Sequence, residues 1–295
     1  MPPAEFHRGV EINTMRESPR LNRLSRMKRA LASPFTAFTT HWNLTRELTR
    51  RDILGRYRGA NFGLFWALIG PLMMLAIYTV AFSKILGSRW NQASGDTASF
   101  GIVLFLGLIV HGFLAECLVR SPRLMLDNAN YVKRVVFPLP ILVWSVTLSS
   151  LFHLAMNFAV FVVLGIVVFG KFAFYLFLVP VVVAPLVLLT VALSWVFASL
   201  GVYIRDINQT VPVLVTALLF LSSAIVPVDT LPEHYQMIFH LNPLTFFIDQ
   251  VREVALWNRP PDWGGLFRYT LAGFVALYAA YFWFRATSKG FADVL

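Results

Sequence analysis

Charge is scarce in this chain. Of its 295 residues only 14 % are charged and 57 % are hydrophobic, whereas an average soluble domain is roughly a quarter charged. That excludes an ordinary water-soluble globule. Acidic residues are scarcer than basic ones, 15 Asp and Glu against 25 Lys and Arg, for a formal charge of +10. Cysteine occurs once, at Cys117, which excludes an intramolecular disulfide and any multi-thiolate zinc or iron–sulfur site. A buried, unreactive thiol is expected there. The first 40 residues hold scattered Arg and Lys but no continuous apolar core, so they lack the pattern of a signal peptide. They read as a basic, largely disordered tail. No HExxH run and no paired intramembrane carboxylates occur, which weighs against an integral membrane enzyme acting on polyprenyl phosphates.

What is present is a series of apolar runs of about the length needed to cross a hydrocarbon core roughly 30 Å thick. They lie at about 62–82, 100–119, 139–168, 173–201, 211–227 and 266–284. The expected fold is therefore an all-α integral membrane protein of six transmembrane helices filling 59–295, without an appended soluble domain. Ahead of them, 41–58 has helix-forming composition, with Glu47–Arg51 and Asp52–Arg56 at the i, i+4 spacing of helical ion pairs. We expect an amphipathic helix at the membrane interface. Between the last two runs, Thr230 to Glu233 has a capping-box pattern and Asn242-Pro243 offers an N-cap followed by a first-turn proline. Two short external helices are expected within 231–257, the second too apolar for a free surface and too charged to span.

With six spans, both termini share one side. The segments on that side carry 19 of the 25 basic residues, and the positive-inside rule makes it the cytoplasm. The excess charge is thus a topology signal, not a nucleic-acid signal. The expected location is a bacterial inner membrane, multi-pass, with both termini cytoplasmic.

Five features of the sequence bear on chemistry. Gly165 to Phe172 nearly matches a phosphate-binding loop, but Phe172 replaces the Mg²⁺-binding hydroxyl and the run lies in an apolar span. No nucleotide site is expected in this chain. His111, Glu116, His153 and Asn157 are polar residues inside expected spans, where such residues are costly and often functional; Glu116 is expected to pair with Arg120 four residues on. Arg50, Arg51, Arg56 and Arg58 form a basic cluster that anchors to anionic lipid and could grip a phosphorylated headgroup by charge-assisted contacts. Loop 121–137 mixes charge with Leu124, Met125, Tyr131 and Val132, as expected of a short helix docking into a partner or lying on the leaflet. Aromatic residues, 15 % of the chain, form interfacial belts, and some could pack on the apolar faces of sugar rings.

Taken together, Arg51-Asp52-Ile53-Leu54-Gly55-Arg56-Tyr57-Arg58, then Gly63-Leu64-Phe65-Trp66 and Pro71-Leu72, resemble the N-terminal signature of type-2 ABC exporter permeases that move polysaccharides. Asn130-Tyr131-Val132-Lys133-Arg134, Tyr203-Ile204-Arg205-Asp206-Ile207, Leu241-Asn242-Pro243-Leu244-Thr245 and the terminal Phe291 to Leu295 resemble further family segments, in the expected order. The nearest likeness is to Wzm-type O-antigen permeases, with capsule and teichoic acid permeases as relatives. One departure is Ala60-Asn61-Phe62, where many relatives have a Ser-x-Leu stretch.

The resemblance implies a homodimer, each subunit pairing with a separate cytoplasmic ABC ATPase that binds ATP and Mg. It implies passage of an undecaprenyl-diphosphate-linked glycan, with no cofactor in this chain and no nucleic acid. Segment 41–58 is then a gate helix, with Arg51, Arg56 and Arg58 at the substrate headgroup entrance. Loop 121–134 is a coupling helix, with Tyr131, Lys133, Arg134, Arg205 and Asp206 facing the ATPase. Trp66, Tyr78 and Phe82 are placed as channel lining from their position on the first span, and 231–257 as helices that close the exit. A permease for a small amphiphile or drug is the alternative within transport.

Overall fold

The computed structural model describes residues 33–81, 97–133, 137–169, 173–228 and 231–295. Every regular element among them is helical. The principal helices are α1 (Ser33–Thr40), α2 (Trp42–Arg56), α3 (Trp66–Tyr78), α4 (Thr97–Arg120), α5 (Pro140–Phe169), α6 (Val179–Tyr203), α7 (Ile207–Phe220), α8 (Glu233–Leu241), α9 (Pro243–Ala255) and α10 (Trp263–Thr287). Four helical stretches are both long and apolar enough to cross a membrane: Gly63–Ala81, Gly101–Asp127, Pro140–Ile166 and Phe174–Tyr203. The two remaining expected spans are also helices. At 14 residues α7 is about 21 Å long, short of a bilayer core. With 25 residues α10 is long enough, but Arg268, Tyr269, Thr270 and its glycines dilute its apolar character.

The second crossing stretch lies at the centre, with 72 % of its apolar window buried, and the first lies at the edge, with 11 %. One core surrounds α4, where Leu106, Ile109, Phe113 and Leu118 meet Phe247, Ile248 and Val251 of α9. A second joins α5, α6 and α10 through Trp144, Trp195, Tyr281 and Phe284. Trp195 is fully buried, with its ring 6.1 Å from Trp144 and 5.3 Å from Tyr281. The same tryptophans explain why helix begins at Ser33, within the region expected to be tail. Phe38 sits 4.9 Å from Trp144, whose indole N–H donates to the Pro34 carbonyl at 3.3 Å. Residues 1–32 lie outside the described residues.

The turn from α2 into the first crossing stretch uses Gly59 at φ 86° and Gly63 at φ 49°, a backbone that side chains with a Cβ adopt only under strain. At the other end of the bundle, Gly201 lets the Pro122 carbonyl lie directly on α6, where a Cβ would come within 2.1 Å of that oxygen. Loop 121–133 is thereby pinned to the spans.

The segment after α7 solves a backbone problem. After Phe220 the chain unwinds, and its carbonyls would lose their helical donors in an apolar setting, at a cost of several kcal/mol each. Side chains replace those donors. The Asn242 amide donates to the carbonyls of Leu218 and Leu221 at 2.9 Å each, while its oxygen accepts the Leu244 N–H at 3.0 Å. One residue thus ends α7 and caps α9. Arg252 is fully buried and donates to the carbonyls of Ser223 at 2.6 Å, Ala224 at 3.0 Å and Val103 at 3.1 Å, with Asp249 3.6 Å away. Gly107 leaves the room, since a Cβ there would meet the guanidinium at 2.7 Å. Burial draws the Arg252 guanidinium down to about 10, so it remains charged at neutral pH.

The Asn242-Pro243 start expected from sequence is the start of α9. The expected Thr230 cap lies outside the described residues, and α8 begins after Pro232 without a side-chain cap. Gly165 lies inside α5, while Gly170 to Phe172 of the phosphate-loop lookalike lie outside the described residues.

Replacing Arg252 by Met leaves the Ser223 and Ala224 carbonyls of the unwound stretch without this donor, each costing about 1–3 kcal/mol when buried and unsatisfied. The expected outcome is a Tm of the purified protein lowered by at least about 5 °C, with Arg252→Lys in between. An unchanged Tm for Arg252→Met would remove the clamp from this account.

Candidate functional site

A cluster of polar residues converges where α2 crosses α4 and α5. Here the sequence expectation needs correcting: neither Glu47–Arg51 nor Asp52–Arg56 forms an ion pair among the described residues. The charges instead reach across helices. Arg56 pairs with Glu116 at 2.6 Å, and Arg120 pairs with Asp52 at 2.5 Å and with Glu116 at 3.4 Å. Cross-helix partners win because Glu116 is only 16 % exposed, and a carboxylate in that setting needs cationic partners more than an exposed helix face does. The expected Arg120–Glu116 pair is present as the weakest contact of a network.

His153 completes that network. Its Nδ1 is 3.1 and 3.2 Å from the two Glu116 oxygens and 3.0 Å from Arg56 Nη1. The Tyr57 ring stands edge-on to the imidazole at 6.0 Å. Burial raises the Tyr57 hydroxyl above its ordinary pKa. His111, five residues before Glu116, takes no part. It contacts the Val215 carbonyl at 3.1 Å and ties α4 to α7. Among the described residues no group of His, Cys, Asp or Glu has the arrangement of a metal site, and Cys117 is buried and free.

Two cavities flank this network. The outer one, about 610 Å³, is a cleft between α2, the end of α4 and the start of α5. Arg51, Arg56, Arg120 and Arg123 line it together with Asp52 and Asp127, so guanidinium groups outnumber carboxylates. The inner one, about 270 Å³, lies deeper along α4 and α5, bounded by Arg56, Tyr57, Trp66, Glu116, His153 and Asn157 with Pro71, Phe113 and Leu154 between them. Arg56 belongs to both. Its ion pair with Glu116 therefore stands as the partition between cleft and chamber.

Of the three expected headgroup residues, Arg51 and Arg56 line the cleft; Arg58 is exposed beyond the end of α2 and is not in its wall. Of the expected channel residues, Trp66 lines the chamber, whereas Tyr78, twelve residues along the same stretch, packs beside Val103 and Leu104. Phe82 lies outside the described residues. Of the expected coupling residues, Tyr131 accepts a hydrogen bond from Arg51 at 2.9 Å and stacks on Phe137 at 4.6 Å. Lys133 is exposed, Arg205 and Asp206 are exposed at the turn from α6 to α7, and Arg134 lies outside the described residues. Loop 121–133 and α2 are thus joined directly, through Arg51 and Tyr131.

The parts that sequence reasoning missed are the assembly of Glu116 with His153 and Arg56, and the participation of Asp52 and Asn157. One signal was available: His153 and Asn157 are four apart on one face of α5, aimed at the same region as the only carboxylate within an expected span.

A double-mutant cycle checks the partition. Arg56→Gln and Glu116→Gln are expected to be non-additive in thermal stability by about 1 kcal/mol, as for a partly exposed but networked pair. Additive effects would show that the contact carries no interaction energy.

Comparison with known proteins agrees with this architecture. Residues 43–256 match the sequence profile of the ABC-2 type transporter family. The chain is similar to the O-antigen export system permease protein RfbA of Myxococcus xanthus, 24 % identical over 250 residues, covering 84 % of this chain and 93 % of that protein. A permease of the same name from Klebsiella pneumoniae is 22 % identical with the same coverage. The polysialic acid transport protein KpsM of Escherichia coli is 26 % identical over 213 residues, covering 70 % of this chain and 78 % of that protein. The profile match takes in α2, the cleft, the chamber and the Asn242–Arg252 clamp, more than half of the chain, and the chain belongs to the ABC-2 type transporter family.

Proposed function

We propose that this chain is the membrane subunit of an ATP-driven exporter that moves a polysaccharide linked to undecaprenyl diphosphate, an O-antigen, from cytoplasm to periplasm. The observation that carries this reading is the cleft of about 610 Å³ with four arginines on its wall, set between the interfacial helix and the loop expected to meet the ATPase. A diphosphate offers several acceptor oxygens to such a set, and guanidinium groups bind them in bidentate, charge-assisted fashion. Relatives named for O-antigen export support the glycan class. The relative named for polysialic acid transport supports a capsular glycan as the second reading.

In this reading the subunit does no covalent chemistry. ATP and Mg are bound by a separate cytoplasmic subunit, and two copies of this chain form the conduit. The first crossing stretch supports a second copy, because Leu72, Met73, Met74 and Ile77 are exposed along it while only Ala67 and Leu75 of α3 are buried. ATP drives transport to the extent that it binds one conformation better than the other. Closure of the ATPase subunits displaces loop 121–133, Tyr131 passes the displacement to Arg51, and α2 shifts relative to α4 and α5. The charge distribution supports cytoplasmic termini.

The test replaces the cleft arginine that holds little structure. Arg123 is 71 % exposed, with Asp127 only at 4.0 Å. With normal membrane expression, and with Arg51 left in place to keep its bond to Tyr131, Arg123→Gln is expected to lower surface glycan several-fold and to accumulate lipid-linked glycan inside. Wild-type export would overturn the entrance. For coupling, Lys133→Ala and Tyr131→Ala are expected to abolish the stimulation of the partner's ATPase by the permease; unchanged stimulation would return the loop to a leaflet anchor.

A further inference from the structure

Behind the cleft lies the chamber, which the entrance by itself does not require. We propose that this chamber is a subsite for one sugar ring, the ring joined directly to the phosphate that the cleft admits. The proposal rests on the reading of the cleft as a lipid-diphosphate entrance.

Size is the first argument. At about 270 Å³ the chamber falls below the roughly 300–1,000 Å³ of pockets that hold drug-sized ligands, and it suits a single ring. The wall is the second. Trp66 and Tyr57 offer flat aromatic faces, which match the apolar C–H faces of a pyranose, while Asn157 and His153 offer an amide and an imidazole for its hydroxyls. The His153 side chain is nine-tenths buried, and its Nε2 has no partner among the described residues. The Asn157 amide, half-buried on the same wall, hydrogen-bonds to none of the described residues either.

The partition is the third argument, and it fixes the order of the ligand's parts. Arg56 faces both spaces, so a phosphate held by it from the cleft places the next group of the ligand at the chamber. Exchanging Glu116 for phosphate leaves Arg56 with an anion in either state. Glu116 is not stranded, because Arg120 at 3.4 Å and His153 at 3.1 Å remain. The imidazole reports the same exchange. A single ring nitrogen cannot accept from Arg56 and donate to Glu116 at once, although Nδ1 lies within 3.2 Å of both. Once Arg56 turns to phosphate, a proton on Nδ1 serves Glu116 alone, and Nε2 becomes the acceptor that a sugar hydroxyl needs.

The experiment measures binding of two lipids to the full-length permease with its ATPase subunit in nanodiscs: undecaprenyl diphosphate, and undecaprenyl diphosphate bearing one N-acetylhexosamine. The sugar is expected to tighten binding about tenfold. Asn157→Leu is expected to erase that gain while changing the affinity for undecaprenyl diphosphate less than twofold. Trp66→Leu, at an exposed position of the first crossing stretch, is expected to do the same and serves if Asn157→Leu does not assemble. Equal wild-type affinity for the two lipids overturns the chamber and leaves the entrance standing, as does a variant that weakens both lipids alike. Failure of both lipids to bind overturns chamber and entrance together.

Discussion

A carboxylate placed inside an apolar helix has to be neutralised where it stands, and the end of the bundle that holds Glu116 is organised around that requirement. Glu116 sits near the inner end of α4, with Arg120 one turn away on the same helix. One further cation comes from outside the bundle, Arg56 at the last residue of α2. Helix α2 is thereby tied to the spans, and Asp52 repeats the tie through Arg120. Because the same helix carries Arg51 to Tyr131, displacement of the loop and position of the ion pairs are mechanically linked. Attraction between half-exposed charges is worth little singly; here it is concentrated in a network whose members span three helices.

The other end of the bundle obeys the same rule with backbone in place of carboxylate. Where α7 stops short of the bilayer thickness, its last carbonyls and those of the unwound residues after it need donors, and Asn242 and Arg252 supply them from α9. Helices α7 and α9 are thus one unit: each is incomplete without the other. Polar groups at both ends of the bundle therefore fix which helices move together, while the apolar contacts between them set no direction.

Much of this was legible in the residues. Apolar runs of membrane length, the helix within 41–58, the Asn242-Pro243 helix start and the family resemblance all follow from local patterns. The ion pairs did not. Spacing along α2 pointed to Asp52–Arg56 within one helix, whereas the folded chain presents a half-buried carboxylate on another, and burial outweighs sequence proximity. Arg252 looked like a charge too many on an external helix; only the fold reveals the unwound carbonyls that it satisfies. The helix at Ser33 escaped notice because its anchor, Trp144, is more than 100 residues away. Arg58, prominent in the basic cluster, lies outside the cleft because α2 ends at Arg56 and Gly59 turns the chain.

The central claim is that Arg56 is held by Glu116 at rest and by the anionic ligand in transport. The most direct test is the distance between these two side chains in structures of the complete complex, without substrate and with a lipid-linked glycan bound before ATP is added. The account predicts hydrogen-bond contact in the first and Arg56 on phosphate, separated from Glu116, in the second. A bound diphosphate with the Arg56–Glu116 pair intact would contradict it.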